Sequence, residues 1–434
     1  MSAARPLSLR LYRMLTQAAR PLAGLFLARR RRQGKEHATR IPERYGETEI
    51  PRPSGSLIWL HGASVGELAS IFPLVEKLRQ AGLYILVTSG TVTSAALARE
   101  RLAGQAIHQF IPLDIPRFVN RFLSHWKPDL ALFVESDLWP NLVQGCRERR
   151  IPMIIVNGRL SERSFMRWKV LPSAAEALLR PFDLCLAQSR LDGDRFAALG
   201  ARRVEVCGNL KLDVPAPPVN EEKLQELKNA VGSRPVIAAA STHPGEEAIM
   251  LDVHRRLRQA FPALLTMIVP RHVQRGRGIC DLIEKFGLAP MLRSQRQVPV
   301  PDTDVYVADT MGELGLVYRL SPIVFMGGSL IEHGGQNPIE AVKLGAAVVH
   351  GPHVWNFAEI YAALDAARGA AAVEDPEQLV MQIGGWLSDA AAREAVVQAG
   401  LKTVNRLGGA LERTLAQLEP YLLQLRINLR PGDA

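Results

Sequence analysis

Cysteine is scarce in this sequence, and its cysteines stand in no pairing or zinc-binding pattern. Cys146, Cys185, Cys207 and Cys280 form no CxxC pair, and no histidine follows them at the spacing of a zinc site. We therefore expect reduced, structural thiols in a cytoplasmic protein. The sequence also lacks a DxD-like acidic pair and a cluster of histidines, which predicts chemistry that needs no metal ion.

Acidic residues are absent from residues 1–35, which carry eight arginines and Lys35. This segment therefore holds +9 of the formal net charge of +10, and the rest of the chain has 44 basic residues against 43 acidic ones. A nearly neutral body argues against a nucleic-acid partner, because nucleic acid is held mainly through many phosphate contacts. The basic segment instead predicts an amphipathic arm that meets an anionic membrane surface.

No apolar run in this arm reaches the roughly 20 residues that a membrane-spanning helix needs. Its leucines are interrupted by Arg10, Arg13, Arg20 and Pro21, and four arginines follow at residues 29–32. The arm also lacks the small-residue cleavage site of a secretory signal. We expect it to lie at the surface of an anionic cytoplasmic leaflet. The alternative is a basic helix that packs on the protein and never contacts lipid.

Short apolar segments alternate with helical patterns along most of the chain, which predicts an α/β fold with parallel sheets. The strand candidates are residues 56–61, 84–88, 129–134, 151–156, 183–187 and 203–206 in the first half, and 235–239, 263–269, 304–308, 322–326 and 346–349 in the second. A chain of 434 residues is too long for one ordinary domain. We expect two doubly wound, Rossmann-like domains that face each other across a cleft.

A proline-rich stretch, VPAPPV at residues 214–219, can continue neither a helix nor a central strand and predicts the domain boundary. We accordingly divide the chain into the arm (1–35), a first domain (36–213), a linker (214–222) and a second domain with a helical tail (223–434).

Residues 307–340 carry three polar, glycine-containing turns that each precede a helix: DTMGE at 309–313, GGS at 327–329 and HGGQNP at 333–338. Such turns can place backbone N–H groups and the positive end of a helix dipole where a phosphate docks. Glu340, in the first turn of the last helix, could accept hydrogen bonds from two ribose hydroxyls. Three turns in tandem predict a nucleotide-sugar site, although any doubly wound sheet turns its corners in a similar way.

Glu67 follows a strand–turn–helix junction in HGASVGE and is a candidate general base, provided that its pKa is suitable. The alternative is structural, because Ser64 and Glu67 fit the S-x-x-E capping box of a helix N-terminus. The spacing alone favours the cap.

Three further charged residues lie at predicted strand ends or beside the linker. Glu135 ends the apolar strand LALFVE and needs a partner, either Arg159, Lys211 or a substrate hydroxyl, and a plain structural ion pair explains it equally well. Lys211 and Arg271 are cations that could compensate a phosphate or a carboxylate. The turn STHPGEE at residues 241–247 could contact a ligand or simply cap the next helix.

The motifs together resemble those of the 3-deoxy-D-manno-octulosonic acid (Kdo) transferases. In order along residues 55–365 they are HGASVGE, TSGTVTSA, ESDLWPNL, NGRLSERS, GNLKLD, STHPGEE, VPRH, DTMGELG, FMGGSL and HGGQNPIEA. The resemblance implies a GT-B fold and an inverting transfer of Kdo from CMP-Kdo to the lipid A precursor (lipid IVA), with release of CMP. It places this reaction at the cytoplasmic face of the inner membrane, without a cofactor.

The resemblance also implies a role for each matching residue. Glu67 resembles the catalytic base that deprotonates the acceptor hydroxyl, and Glu135 and Lys211 resemble supporting charged residues near the transition state. The residues that resemble the family's CMP-binding segments are Pro270, Arg271, Met311, Gly312, Glu313, Asn337 and Glu340. The first domain would then bind the acceptor and the second domain the donor.

Two other functions stay open at this point. One is a different two-domain nucleotide-sugar enzyme, such as a UDP-sugar transferase or epimerase, which competition by UDP rather than CMP would reveal. The other is a non-catalytic membrane adaptor, in which replacing Glu67 would change no chemistry.

Overall fold

The computed structural model of the protein describes residues 6–217, 219–295 and 297–427. Within these residues the chain forms two compact units. The first unit extends to Val214 and also includes the segment from Leu407 onward, and the second unit is Pro215–Arg406. The chain therefore leaves the first unit within the proline-rich stretch.

The first unit begins with helices α1 (Leu7–Ala18), α2 (Ala23–Arg32) and α3 (Ile41–Arg44), after which strands and helices alternate. The strands are β1 (Leu57–His61), β2 (Tyr84–Ser89), β3 (Ile107–Phe110), β4 (Leu130–Val134), β5 (Met153–Gly158), β6 (Leu184–Ala187) and β7 (Val204–Val206). The helices between them are α4 (Val65–Gln80), α5 (Val92–Arg101), α6 (Pro116–Trp126), α7 (Pro140–Glu148), α8 (Glu162–Lys169), α9 (Pro172–Leu179) and α10 (Arg190–Ala198). Among the described residues these strands form a seven-stranded parallel sheet in the order β3-β2-β1-β4-β5-β6-β7.

The second unit repeats this plan. Its strands are β8 (Val236–Thr242), β9 (Leu265–Pro270), β10 (Pro290–Leu292), β11 (Val305–Val307), β12 (Ile323–Met326), β13 (Ala347–His350) and β14 (Ala371–Ala372). Its helices are α11 (Glu221–Val231), α12 (Glu246–Leu257), α13 (Gly276–Lys285), α14 (Leu314–Leu320), α15 (Ile339–Lys343), α16 (Ala358–Ala366), α17 (Pro376–Ser388) and α18 (Ala390–Leu407), and α19 (Ala410–Ile427) follows. The parallel sheet, as far as the structure describes it, has seven strands in the order β10-β11-β9-β8-β12-β13-β14.

Both sheets are doubly wound, which confirms the predicted α/β class. In the first sheet β1 lies between β2 and β4, and in the second β8 lies between β9 and β12. The chain reverses its direction of winding at these two places, and the polar residues at the strand ends meet there.

The central strands are buried on both faces, which is why they read as continuous apolar segments. Side chains along β1 alternate between two cores, because successive residues of a strand point to opposite faces. Trp59 joins Phe133 in one core, and Ile58 joins Leu132 in the other. The helices on each face complete these cores and leave the strand ends as the accessible edge.

Three strands were not identified from the sequence. In β3 the segment Ile107–Phe110 includes a histidine and a glutamine, so its apolar signal is weak. Strands β10 and β14 have only three and two residues. Such short edge strands form by pairing with a neighbour rather than through a pattern of their own.

Helix α19 packs in the first unit, although the sequence analysis assigned the tail to the second domain. Its residues Leu418 and Leu422 are buried in the core that α4 also covers. The carboxylate of Asp213 accepts hydrogen bonds from the backbone N–H groups of Gly409 (2.7 Å) and Leu411 (2.5 Å) and so holds the start of α19. The assignment was wrong because an amphipathic pattern shows that a helix buries one face but not which sheet it covers.

One face of the basic arm packs on the first unit. Leu9 of α1 is buried in the core. The Tyr12 hydroxyl donates to the carboxylate of Asp114 (3.0 Å), and the Asn141 side chain donates to the hydroxyl of Thr16 (3.0 Å). These contacts fix α1 against the N-terminus of α7.

The opposite face of the arm exposes large apolar side chains to solvent. They are Leu7, Leu11, Met14, Leu15, Leu22, Leu25 and Phe26, each about half exposed or more. Among the described residues, no helix combines the length and the apolar character that crossing a bilayer requires. The arm is thus a packed helix on one side and an unpaired apolar surface on the other.

The packing of α19 can be tested with one pair of variants. Leu418→Ala removes a fully buried side chain and should lower the free energy of unfolding of the first unit by about 2–5 kcal/mol, measured by urea denaturation. Leu423→Ala, on the same helix but 47% exposed, should change it by less than about 0.5 kcal/mol. Equal effects of the two substitutions would contradict the burial of α19 in this core.

Candidate functional site

Glu67 lies in the first turn of α4, directly after the C-terminal end of β1. The hydroxyl oxygen of Ser64, the N-cap residue, accepts a hydrogen bond from the Glu67 N–H (3.3 Å), and Ser64 Oγ donates to Glu67 Oε1 (2.8 Å). Glu67 Oε2 accepts from the N–H of Ala63 (2.7 Å). The predicted N-cap at Ser64 is therefore present, but the reciprocal bond of a capping box is replaced by the bond from the Ala63 N–H. These contacts hold the carboxylate at the edge of the sheet.

The surroundings of Glu67 make its ionised form costly. Burial raises the pKa of Glu67, and the negative charges of Glu135 and Asp137 raise it further, against the lowering effect of the hydrogen bonds from Ser64 and Ala63. The three carboxylates are close because β1 and β4 are adjacent and in register, so both strands end at the same level. A half-buried carboxylate with a raised pKa is suited to take a proton from a hydroxyl group.

Glu135 and Lys211 form an ion pair with a distance of 2.7 Å between Lys211 Nζ and Glu135 Oε1. Of the partners considered for Glu135, the structure therefore supplies Lys211. Asn157 supports this pair from β5, since its side-chain oxygen accepts from the N–H of Leu210 (2.9 Å) and holds the turn that carries Lys211.

Glu135 and Asn157 share an unusual backbone conformation. Their φ angles are 60° and 53°, in the left-handed region that few residues other than glycine adopt. Asparagine adopts this conformation more readily than other non-glycine residues, so the strain lies mainly at Glu135, at a strand end where function is expected. Together with the Lys211 pair, the two residues make this edge the candidate catalytic centre of the first unit.

His61 and Asp137 extend the centre, and the sequence analysis did not select either of them. His61 is buried, and its Nε2 lies 3.2 Å from Asp137 Oδ2 while its Nδ1 lies 3.0 Å from the hydroxyl of Thr88. The indole N–H of Trp139 also donates to Asp137 Oδ2 (3.0 Å). Burial would raise the pKa of Asp137, but the hydrogen bond and charge of His61 lower it below its usual value. A negative charge is thereby held near Glu67.

A buried carboxylate already occupies the glycine turn after β12. Glu246 is completely buried, and its oxygens accept hydrogen bonds from the N–H groups of Gly328 (2.7 Å), Ser329 (3.1 Å), Leu330 (3.3 Å) and His243 (3.0 Å). The expectation that this turn offers its N–H groups to a phosphate is therefore wrong. A carboxylate of the chain itself fills the position that an anion would take.

The turn fits closely against β8, where Ser241 forms a bulge with a φ of 57°. A Cβ atom at Gly327 would lie 2.5 Å from the carbonyl oxygen of Ser241, so only glycine fits there. Glu247 accepts from the hydroxyl of Thr242 (2.7 Å) and forms two bonds with Arg275 (2.7 and 3.0 Å). Most of the STHPGEE motif thus organises the strand ends.

Three histidines meet at this edge beside two arginines. The ring of His243 lies 3.7 Å from that of His333 and 6.3 Å from that of His272, measured between centroids. Burial lowers the pKa of His243 to about 4, and the nearby His333, His272, Arg271 and Arg275 contribute to this lowering. Arg275 is balanced by Glu247, but Arg271 is exposed and makes no side-chain hydrogen bond or ion pair within the described residues. This surface is suited to an anion.

Glu313 is fully engaged by neighbouring cations. Its Oε1 accepts from Lys223 (2.6 Å) and Arg293 (3.2 Å), and its Oε2 accepts from Arg293 (2.9 Å) and the hydroxyl of Thr310 (2.5 Å). Although burial opposes the effect, these bonds lower the pKa of Glu313 to about 2. A carboxylate offers about four acceptor positions, and all four are used here. The Glu313 side chain therefore stabilises the turn. Met311 and Gly312, at its tip, are exposed.

The residues expected to bind the donor lie along one edge of the second sheet. Pro270 and Arg271 end β9, Met311 to Glu313 follow β11, and Asn337 and Glu340 stand at the start of α15 after β12. Strands β11, β9, β8 and β12 are successive neighbours, so these segments end on the same side. Asn337 Oδ1 accepts from the N–H of Ile339 (3.1 Å) and starts the helix, and Glu340 is half exposed in its first turn.

A metal site of the usual composition does not stand out in the part of the chain that the structure describes, since no group of three or more His, Cys, Asp or Glu side chains has a suitable arrangement. The charged groups of the two edges are instead balanced by Lys211, Arg275, Arg293 and Lys223.

The additional residues that the structure brings to these edges are His61, Asp137, His243, Glu246 and His333. Each stands at or shortly after a strand end, which was the available signal in the sequence. The pattern did not show that Glu246 reaches across to the turn after β12, because that contact joins residues more than 80 positions apart.

Two doubly wound parallel sheets of this kind define the GT-B class, which includes glycosyltransferases and epimerases. A solved glycosyltransferase from Rickettsia africae is similar with a TM-score of 0.57 over 86% of this chain and 100% of that chain, at 13% sequence identity. That likeness concerns the fold alone, and it confirms the predicted fold class.

The sequence relatives identify the family. A family model described as 3-deoxy-D-manno-octulosonic-acid transferase (kdotransferase) matches residues 39–214. The 3-deoxy-D-manno-octulosonic acid transferase of Haemophilus influenzae is 34% identical over 420 residues, which cover 95% of this chain and 98% of the relative. The enzyme of that name from Bordetella pertussis is 35% identical over 429 residues, covering 95% and 99%. The chain belongs to the Kdo transferase family, as the motifs predicted.

The role of Glu246 can be tested without an activity assay. Glu246→Gln places an amide N–H₂ against backbone N–H groups, so part of the turn loses its acceptor and the free energy of unfolding of the second unit should fall by about 1–3 kcal/mol. Hydrogen exchange at residues 328–330 should quicken. Glu332→Gln, at an exposed position nearby, should change neither measurement. Unaltered exchange in the Glu246 variant would show that the turn does not depend on this carboxylate.

Proposed function

We propose that this protein transfers Kdo from CMP-Kdo to the lipid A precursor (lipid IVA), with inversion at the anomeric carbon and release of CMP. The acceptor hydroxyl oxygen attacks the anomeric carbon, the bond from that carbon to the phosphate oxygen breaks, and CMP leaves with the electron pair. The hydroxyl proton passes to Glu67. Membership of the Kdo transferase family supports Kdo as the transferred sugar. The residues at the two sheet edges support an acceptor site in the first unit and a donor site in the second.

The observation that carries the proposal is the environment of Glu67. Its carboxylate is half buried, held at the edge of the sheet by Ser64 and Ala63, and its pKa is raised by burial and by Glu135. A carboxylate with a raised pKa has a higher proton affinity than an exposed glutamate and is therefore a stronger base. A helix cap alone does not require a second and third carboxylate beside it.

Glu135 and Lys211 hold charge beside the base. Their 2.7 Å ion pair keeps an ammonium group at the edge where the reacting sugar would lie. We assign to Lys211 the compensation of negative charge on the sugar acid or on the departing phosphate, and to Glu135 the placement of Lys211. His61 orients Asp137, which contributes to the raised pKa of Glu67.

The second unit supplies the donor site in this proposal. Arg271 and the histidines around His243 face the phosphate, while Met311, Gly312, Asn337 and Glu340 hold the cytidine and ribose. Arg271 has no competing acid among the described side chains, which favours its use by a ligand. Cationic side chains carry the charge compensation, so the reaction is proposed to be metal-independent.

The arm gives the proposed place of the reaction. Its exposed leucines and its nine basic residues suit adsorption to the anionic cytoplasmic face of the inner membrane, where a lipid acceptor resides. Adsorption would bring the acceptor to the first unit without a spanning helix.

The proposal predicts the effect of removing the base. Glu67→Gln should lower kcat for transfer from freshly generated CMP-Kdo to the acceptor by about 10²- to 10⁴-fold, because proton acceptance is lost while the cap geometry is largely kept. Glu76→Gln, at an exposed position on the same helix, should leave kcat unchanged. Full activity of the Glu67 variant would show that Glu67 is not the base and that its role is confined to the start of the helix.

The same assay separates the alternatives. Competition by CMP supports the proposed donor, whereas competition by UDP alone would indicate a UDP-sugar enzyme of the same fold. If the wild-type protein transfers sugar from none of the donors, the remaining hypothesis is the non-catalytic membrane adaptor.

The charge around Glu67 predicts a shift in the pH profile. Glu135→Gln removes a negative charge near Glu67 and leaves the Lys211 ammonium unbalanced, and both changes lower the pKa of Glu67. Because the base must be deprotonated, activity is lost as the pH falls through this pKa. The acidic limb of kcat/KM should therefore move to lower pH in the Glu135 variant, whatever its maximal rate. A limb that stays in place or moves upward contradicts the proposed coupling.

A further inference from the structure

A cavity of about 460 Å³ lies between α2 of the arm and α3, which follows the arm. Leu27, Ala28 and Ile41 form an apolar wall, Tyr45 contributes a ring and a hydroxyl, and Arg31 and Arg32 line the rest. The size lies within the usual range of small-molecule sites. The combination of an apolar wall with two cations suits an amphiphile with a negative headgroup.

The two arginines of the cavity have no carboxylate partner among the described residues. The neighbouring Arg30, in contrast, is paired with Glu36 (2.6 Å). The other acids of this region are also engaged elsewhere: Glu43 binds Arg40 (2.6 Å), and Glu47 pairs with Arg121. The positive charge of Arg31 and Arg32 is therefore not balanced by an ion pair within the described residues.

The wall of the cavity is built on rigid structure. The ring of Tyr45 packs edge-on against Phe118 with 5.1 Å between centroids, and Ala23 of α2 is buried beside Phe118 and Ile115. Leu27 is 1% exposed. The inner wall of the cavity is thus built from packed side chains, whereas the exposed Arg31 and Arg32 form its rim.

The cavity is lined by the same helix, α2, that carries the exposed apolar residues Leu25 and Phe26. If Leu25 and Phe26 enter the acyl region while the helix lies along the leaflet, as the proposed function has it, the long side chains of Arg31 and Arg32 can extend outward to the level of the headgroups. Phosphate groups lie at that level, next to glycerol and the first methylenes of the acyl chains.

We propose that this cavity binds the headgroup of one anionic phospholipid of the membrane. Arg31 and Arg32 contact the phosphate, the Tyr45 hydroxyl contacts the headgroup, and Ala28 and Ile41 contact the start of an acyl chain. The inference rests on the proposed adsorption of the arm and not on the sugar transfer. A lipid bound in the cavity would fix the orientation of the arm on the leaflet. Diffuse electrostatic attraction alone would leave that orientation variable.

The test is native mass spectrometry of the full chain, released from detergent micelles that contain phosphatidylglycerol or, in parallel, phosphatidylcholine. The wild type should retain one phosphatidylglycerol and no phosphatidylcholine. Arg31→Ala combined with Arg32→Ala should weaken retention by about 30-fold. Ala28→Trp fills the cavity without changing charge and should abolish retention, while Arg29→Ala, outside the cavity on the same helix, should leave it nearly unchanged.

Three results would overturn the proposal. Equal loss in the Arg29 variant would indicate diffuse attraction by the arm, and retention in the Ala28 variant would place the lipid elsewhere. The third result concerns inorganic phosphate in millimolar excess. If it displaces phosphatidylglycerol and also saturates the wild type by itself, the cavity is a site for a small anion only. Thermal unfolding of each variant checks that it is folded. Because no sugar substrate is present, failure of this proposal is distinguishable from failure of the proposed reaction.

Discussion

In a parallel sheet every strand ends at the same edge, and both sheets of this protein use that geometry to collect polar side chains from distant parts of the chain. Glu67 and Glu135 come together only because β1 and β4 pair in register, and Asn157 joins them from β5. In the second unit, the turns after β8, β9, β11 and β12 meet in the same way. The buried strands are the support, and the chemistry is confined to the short turns that leave them.

Three carboxylates at these edges show how surroundings decide the role of one residue type. Glu246 accepts four backbone hydrogen bonds and shapes a turn. Glu313 is surrounded by Arg293 and Lys223, which keep it ionised. Glu67 is beside other carboxylates, and its pKa is raised. Glu246 and Glu313 stabilise structure because their acceptor positions are filled. Glu67, whose pKa is raised, binds a proton more readily. This contrast supports Glu67 as the base in the proposed transfer.

The two faces of the basic arm have different surroundings. Leu9 and Tyr12 fix it to the body of the first unit, yet its other face leaves leucines and a phenylalanine exposed. A helix held firmly on one side can present an apolar surface in a constant orientation. The cavity beside Arg31 and Arg32 gives that surface a place for a specific lipid in our proposal.

Local periodicity, turn residues and motifs were enough to predict the α/β class, most strands, the N-cap of α4 and the family, because these features can be recognised without knowing which distant residues are in contact. The candidate site residues were selected because they follow predicted strand ends, and their roles stay a prediction. Three other features became clear only from the folded chain: Glu246 occupies the glycine turn, Lys211 is the partner of Glu135, and α19 packs in the first unit. Each of these joins residues 76 or more positions apart, and a pattern of burial along the chain does not specify which distant surface covers it.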